Sequence, residues 1–555
     1  MKQVVKDIFI ILNRSEKRQI WLLAIADVCI SVLDIVFLVV LLYVVNFYTQ
    51  PAGRLPVSNF SLTIFNVHPV LLITIFFALF AIKNSCGFIV SKKQYHFVYG
   101  VASRISRENL QQYLDGNYPD YVNTDSSVVN RRITQEPIEF CHYVLNGVQQ
   151  IFSQAVLVII TVLAVFIFNP LLFPLLLLIL APPVFLVAFL MKRKLDSARL
   201  HGKKTSEKAM QHLQEALAGF VESNIYKKNE FFINRYHRMQ AQLNHYLSER
   251  LIIQSLPPRL IEVFAVFGLL ILVLINFFTA HSNSVPLVTI GALMVAAYKI
   301  IPGIVKITNT AGQVKTYAFS ANSLATVAHL PLKENYYRGP VNRIAFENVS
   351  FNYAGKKILT CLSFVLQRGD FAVVSGVSGK GKTTLINLLL GFLTPQSGSV
   401  YINDSMSSTV MRQHYWPGIA YVKQQTFFLH ASIIENITLQ EKGHDKERIQ
   451  NATAIAGIDA FANLLPLGLE TIITENGKNF SGGQRQRISF ARALYRDFDL
   501  LILDEPFNEL DEPSETEMLS ELKKIAAAGK MIILITHNKT AMSFCNKKIL
   551  ADEWE

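Results

Sequence analysis

Within its first 310 residues the chain carries six apolar runs, near 20–47, 69–91, 144–168, 171–191, 260–280 and 286–308. Each is long enough to take about 20 helical residues across a bilayer core. In lipid the backbone N–H and C=O groups must be satisfied inside the segment, so runs of this kind become helices. The expectation is an all-α, six-helix transmembrane domain over residues 1–310. The fourth run contains Pro174, Pro182 and Pro183 and is expected to kink or turn irregular.

Charge sets the orientation. Lys17, Arg18, Lys92, Lys93, Arg131, Arg132, Lys192, Arg193 and Lys194 border one side, whereas the loops near 48–68, 169–170 and 281–285 hold only Arg54. The positive-inside rule then puts both ends in the cytoplasm. It also accounts for the net charge of +12 without nucleic acid, since no basic stripe alternates with aromatics. The 51% hydrophobic and 17% charged residues fit a membrane protein, soluble domains having about a quarter charged. Cys29, Cys86, Cys141, Cys361 and Cys545 form no close pair, so neither a disulfide framework nor a zinc site is expected. The N-terminal stretch carries only a short apolar run and no small-residue cleavage site, so a signal peptide is not expected. Val4, Val5, Ile8, Ile11 and Leu12 share one face there, which predicts a short helix lying at the membrane interface.

The inner connections, about 92–143 and 192–259, are much longer than the outer ones and rich in helix formers. They read as membrane helices continuing into the cytosol, broken at Gly116-Asn-Tyr-Pro119 and at Glu222-Ser-Asn-Ile-Tyr-Lys-Lys. A linker over 311–340 ends at Gly339-Pro340, and the alternating Ile344-Ala-Phe-Glu-Asn-Val-Ser-Phe opens a second domain over 341–555.

That domain carries the chemistry. Gly376-Val-Ser-Gly-Lys-Gly381-Lys382-Thr383 follows the apolar strand Phe371-Ala-Val-Val-Ser and leads into a helix starting at Thr384. A glycine-rich loop in that place lets backbone N–H groups close around phosphates at a helix N-terminus. Gly376, Ser378, Gly379, Gly381 and Thr384 are the candidate backbone and side-chain contacts. Lys382 reaches the β- and γ-phosphates, and the Thr383 hydroxyl suits Mg²⁺. Downstream, Leu500-Leu-Ile-Leu-Asp504-Glu505 is a buried strand ending in two carboxylates. The first suits Mg²⁺ and the second can polarise an attacking water.

Residues 341–545 resemble the ABC ATPase family, with an α/β phosphate-loop fold. Phe480-Ser481-Gly482-Gly483-Gln484 looks like its signature motif, followed by Arg485-Gln-Arg487. The resemblance assigns Tyr353 to adenine stacking, Gln424 to the Q-loop and to Mg²⁺, Asp511 to the D-loop and His537 to the switch position. Glu475 falls where exporters contact their cytosolic loops. It implies ATP and Mg²⁺ as cofactors, and two ATPase domains that sandwich ATP between one phosphate loop and the other's Ser481-Gly482-Gly483. Glu505, His537 and Gln424 would be catalytic. The pattern departs at Lys423 (usually Pro), Phe480 (usually Leu) and Asn508-Glu509, and a shortened last hairpin is expected after His537. Six spans ahead of one ATPase domain is the half-exporter order. A second half-transporter is therefore required, and since every catalytic position is filled a homodimer is expected. The spans exclude a soluble ABC protein, and importers usually keep the two halves on separate chains.

Ionisable residues within spans cost roughly 2.5–3.5 kcal/mol each at mid-membrane and so need a reason. Asp27 and Asp34 lie on one face of the first span, Lys83 in the second and Lys299 in the sixth, beside an expected helix break at Pro302-Gly303. Asp34 and Lys83 reach similar depth, which predicts an ion pair, and Lys299 is the stronger cavity candidate. Pro258-Arg259, Glu262 and Tyr298-Lys299-Ile-Ile-Pro302 add a fainter resemblance to bacterial flippases for lipid-linked oligosaccharides. A lipid or lipid-linked glycan leads the substrate classes. Peptides or antibiotics, other hydrophobic compounds and a regulator without net transport stay open. No leader-trimming peptidase domain is expected ahead of the first span. The expected location is a bacterial cytoplasmic membrane.

Overall fold

The computed structural model describes residues 2–49, 69–116, 118, 122, 124–168, 202, 204–279, 287–327, 339–353, 356–377, 379–474 and 477–550. The expected fourth span, most of the outer loops, Ser378 and Glu475 lie outside the described residues. Two compact units form, Met1–Gly116 with Val122–Leu332, and Asn117–Tyr121 with Lys333–Glu555.

The first unit is helical. Its elements are α1 (Lys2–Ile11), α2 (Arg14–Thr49), α3 (Pro69–Leu114), α4 (Ser126–Thr134), α5 (Asn146–Phe168), α6 (Phe220–Ile225), α7 (Asn229–Thr279) and α8 (Leu287–Val327). Among the described residues, α2, α3 and the run from α4 through α5 are long and apolar enough to cross a membrane. At 46 residues α3 is about 70 Å long, more than twice the hydrocarbon thickness, so it extends well past the bilayer. Phe77 and Phe88 are each 70% exposed on it, as side chains facing lipid would be. Between α4 and α5 a π-helical turn, Phe140–Leu145, sets Phe140, Cys141, Val144 and Leu145 all into the interior. Asp125 caps α4 by accepting the Ser127 N–H at 3.0 Å, and Arg131 and Arg132 complement its last turn.

Two expectations change. The apolar face of α1 does not lie open to a membrane interface: Val4, Ile8, Ile11 and Leu12 are buried against Val98, Val101 and Ile105 of α3 and Val314 and Ala321 of α8. Arg104 locks that packing, donating to Glu16 at 2.7 and 2.9 Å and to the Ile11 carbonyl at 3.1 Å. Nor does α8 break at Pro302-Gly303; it runs through Pro302 to Val327, into the expected linker. Close packing on α5 supports it there. A Cβ at Gly303 would sit 2.7 Å from Val158, and one at Gly147 2.7 Å from Val314, so glycine on each helix lets the two backbones approach.

The second unit is built on two main sheets. Strands β1 (Arg343–Tyr353), β2 (Lys356–Gln367), β4 (Ser397–Ile402) and β5 (Ser405–Met406) form an antiparallel sheet in the order β2-β1-β4-β5. Strands β3 (Phe371–Ser375), β6 (Ile419–Val422), β9 (Leu500–Asp504), β10 (Met531–Ile535) and β11 (Lys547–Leu550) form a parallel sheet in the order β11-β3-β10-β9-β6. A short pair, β7 (Ala431–Ser432) and β8 (Ile472–Ile473), completes the set. Every residue of β3, β9 and β10 is buried, as expected of parallel strands covered on both faces. The helices that bear on function are α9 (Lys382–Leu389), α10 (Gly482–Tyr495), α11 (Glu512–Ala527) and α12 (Lys539–Phe544).

Candidate functional site

Register brings the site together. Ile535 of β10 lies level with Val374 of β3 on one side and with Asp504 of β9 on the other, while Val422 of β6 pairs with Leu503. The carboxyl ends of four adjacent parallel strands are therefore flush. The residues just beyond them, Gly376, His537, Glu505 and Gln424, converge in one crevice, where open α/β sheets present their functional loops.

The phosphate loop leaves β3 and enters α9 through Gly381, whose φ of +86° is left-handed. A Cβ at that position would sit 2.6 Å from Ile358, so glycine is needed for space as well as for angle. Gly376 and Gly379 also take positive φ. The α9 helix starts directly after the loop, and a helix N-terminus is suited to an anion. Lys382 lies within it, donating to the Gly376 carbonyl at 2.7 Å and standing 2.6 Å from His537 Nε2. Thr383 is exposed beside it, whereas Thr384 is buried and hydrogen-bonds Tyr353. Tyr353 itself is 46% exposed at the end of β1, where a flat ring can stack.

Glu505 stands at the centre with φ of +49°, a costly angle for a side chain with a Cβ. Three groups hold it. Gln424 Nε2 donates to its Oε2 at 2.6 Å, Asn508 Nδ2 donates to the same oxygen at 3.0 Å, and His537 Nε2 lies 3.3 Å from Oε1. Asp504 is buried next to it. Burial first, and then the Glu505 charge, push the Asp504 carboxyl above the usual aspartate range, against the pull of Lys382 and Tyr421. A cation beside Asp504 would relieve that strain, and Thr383, Asp504 and the Gln424 amide oxygen supply the hard oxygen donors that Mg²⁺ prefers.

Sequence alone gives no signal that Asn508, Tyr421 and Asn538 reach the site. Asn508 stands out only as part of a departure from the family pattern, and Tyr421 is a strand residue like its neighbours. Asn538 follows His537, caps α12 and donates to both Glu515 oxygens at 2.8 Å, which fixes the histidine segment.

The signature residues form a separate group at the start of α10. Ser481 is its N-cap, accepting the Gln484 N–H at 3.3 Å, and Gln484 Oε1 accepts the Ser481 N–H at 2.9 Å. This capping box explains the Ser-x-x-Gln spacing, and Gly482 and Gly483, both half-buried, form the first turn beside it. Asp511 caps α11 by accepting the Ser514 N–H at 3.3 Å.

In the membrane unit Lys83 and Asp34 form the expected ion pair, joining α2 to α3. Lys299 of α8 joins them, 3.7 Å from the second Asp34 oxygen. Two ammonium groups thus share one carboxylate. Asp27 lies apart, on a polar cavity of about 150 Å³ with Gln94, Asn146, Gln154 and Lys306 among its walls.

Comparisons with known proteins give the family. The family model for the ABC transporter transmembrane region matches residues 20–298, and the one for ABC transporter matches residues 359–508. An ATP-dependent lipid A-core flippase of Xylella fastidiosa is 28% identical over 438 residues, covering 76% of this chain and 72% of that protein. Its namesake from Bordetella avium is 25% identical over 482 residues, covering 85% and 81%. A Haemophilus influenzae protein named probable ABC transporter ATP-binding/permease protein is 37% identical over 209 residues, 38% of each chain. The solved structure of a bacterial Atm1-family ABC exporter with ATP bound superposes with a TM-score of 0.77 at 15% identity, covering 97% of this chain and 93% of that one. The chain belongs to the ABC transporter family, an integral membrane protein that joins a transmembrane region and a nucleotide-binding ATPase domain in one polypeptide.

Proposed function

We propose that this chain is one half of an ATP-driven exporter that moves a lipid or lipid-linked glycan across the membrane by alternating access. The observation that carries the reading is the convergence of Lys382, Asp504, Glu505, Gln424 and His537 on one crevice by strand register. In that crevice Lys382 and the α9 N-terminus hold the ATP phosphates. Glu505, fixed by Gln424 and Asn508, takes the proton side of the attacking water, and His537 meets the charge that develops on the γ-phosphate. Mg²⁺ would be held by Thr383, Gln424 and Asp504 and would neutralise phosphate charge.

The Gly482-Gly483 turn of α10 would serve the ATP held by a second copy, so the working unit is a homodimer. The α6 region supports that reading: Leu217, Phe220, Ile225 and Tyr226 are each about 70% exposed at the tip of the second cytosolic extension, an apolar surface suited to a partner. The remaining assignments are a membrane domain over 1–310, a linker to 340 and an ATPase domain over 341–555, in a bacterial cytoplasmic membrane with both ends inside. The two flippase relatives, each covered over at least 72% of its length, favour a lipid. So does the interior charge cluster of Asp34, Lys83 and Lys299, together with the polar cavity at Asp27, which suit a polar headgroup more than a purely apolar solute.

The test is ATPase activity of the purified protein in lipid nanodiscs, with Glu505→Gln as blank, on adding lipid and aqueous peptide fractions separately. Stimulation by the lipid fraction alone is expected. Stimulation by the peptide fraction alone would reassign the substrate, and turnover surviving Glu505→Gln would overturn the catalytic assignment.

A further inference from the structure

The short loop between β9 and α11 departs from the family pattern at Asn508-Glu509, and Glu509 folds back onto the first turn of α10. A Cβ built on Gly482 would collide with the Glu509 carboxylate, and one on Gly483 would lie 2.9 Å from the Glu509 carbonyl oxygen. The Glu509 N–H donates to Gln486 Oε1 at 3.0 Å, and the Arg485 guanidinium stands 3.7 Å from Oε2. The loop is thus tied to α10 at its backbone, and the side chain is steered by Arg485.

That position has an electrostatic meaning. The first turn of a fourteen-residue helix carries unpaired N–H groups and the positive end of its dipole. A carboxylate resting on Gly482 is favoured there for the same reason as a phosphate would be. Under the reading above, which this inference rests on, the same face receives the γ-phosphate held by the partner's phosphate loop. A phosphate arriving there would meet the Glu509 carboxylate, and like charges in contact repel.

We propose that Glu509 is a displaceable occupant of the phosphate seat at the signature helix, so that ATP-driven pairing of two copies must first swing its carboxylate away. It raises the ATP concentration at which the two ATPase domains close, and sets that threshold without taking part in the chemistry. Glu509 is 53% exposed, so solvent screens the contact and the effect is modest. Removing its charge lowers the threshold by about twofold to fivefold, the range for one charge at a helix N-terminus.

The experiment uses the full chain in nanodiscs carrying Glu505→Gln, so that hydrolysis does not reset the closed state. ATP is titrated, and closure is read as the distance between spin labels on the two ATPase domains. Adding Glu509→Gln is expected to lower the half-maximal ATP concentration by that factor, with Glu509→Ala shifting it the same way and Glu509→Asp staying near the parent. An unchanged or raised requirement in Glu509→Gln, with a parent that closes normally, overturns this inference alone and leaves Glu509 as a stabilising cap. A parent that closes at no ATP concentration overturns the reading beneath it as well.

Discussion

Asp504 and Glu505 are neighbours in sequence but sit in different surroundings, one buried at the strand end and one held by three side chains. Asp504 is 8% exposed, and its carboxyl is raised from the ordinary 3.8 mainly by burial. A carboxyl raised on folding favours its neutral form, so its contribution to stability falls as pH rises through the window between 3.8 and the folded value. Asp504→Asn removes the buried charge and is expected to raise the thermal midpoint while abolishing turnover, a pairing that calorimetry and phosphate release would show together. Glu505→Gln, which removes the proposed base, is expected to keep ATP binding while turnover falls by about 10² to 10⁴. Asn508→Ala acts through Glu505 instead. It should lower kcat several-fold while leaving the KM for ATP near wild type, and an equal rise in KM would count against a positioning role. At this scale the sequence points to Lys382, Asp504 and Glu505 through motif chemistry and to His537 through family resemblance, and the fold brings the four into one crevice. The sequence was silent on Asn508 and Tyr421, because their importance comes from which oxygen they reach across the fold. Gln484 shows a third case: it belongs to the signature-like motif in the sequence, and its capping of Ser481 is visible only with the helix in place.

Helices in the membrane unit meet through glycines and charges. Gly147 on α5 and Gly303 on α8 each leave no room for a Cβ beside the facing valine. Gly303→Val and Gly147→Val should each destabilise the protein by about 1–3 kcal/mol, measurable as loss of thermal stability in detergent. The ion pair of Asp34 with Lys83 was foreseeable from depth along two neighbouring spans, but its sharing with Lys299 was not, since nothing in sequence fixes the rotation of α8 against α2. Asp34→Asn and Lys83→Gln should each destabilise, with the double variant losing at least about 0.5 kcal/mol less than the sum. Strictly additive losses would argue against the pair. The same lesson explains α1 and Pro302. An apolar stripe reads alike whether it meets lipid or protein, and a proline marks a missing hydrogen bond without saying whether neighbouring helices hold the segment straight. The parallel sheet was easier, because buried strands such as Phe371–Ser375 and Leu500–Asp504 are short, apolar and end in motif residues.

The whole molecule joins a unit that lipid must surround to a unit that water must surround, and the division at about residue 332 follows that change of solvent. Motif order alone made the ATPase fold and its place after the spans legible. The cargo is harder, because substrate preference rests on cavities formed between helices from single polar residues such as Asp27 and Lys306. Coupling of hydrolysis at Glu505 to movement of a lipid is measured in proteoliposomes carrying a fluorescent glycolipid, by following its ATP-dependent disappearance from the leaflet that faces the ATPase domains. Wild type should move it and Glu505→Gln should not. Equal movement in both, or hydrolysis by wild type with no movement of this or any other lipid offered, would contradict it.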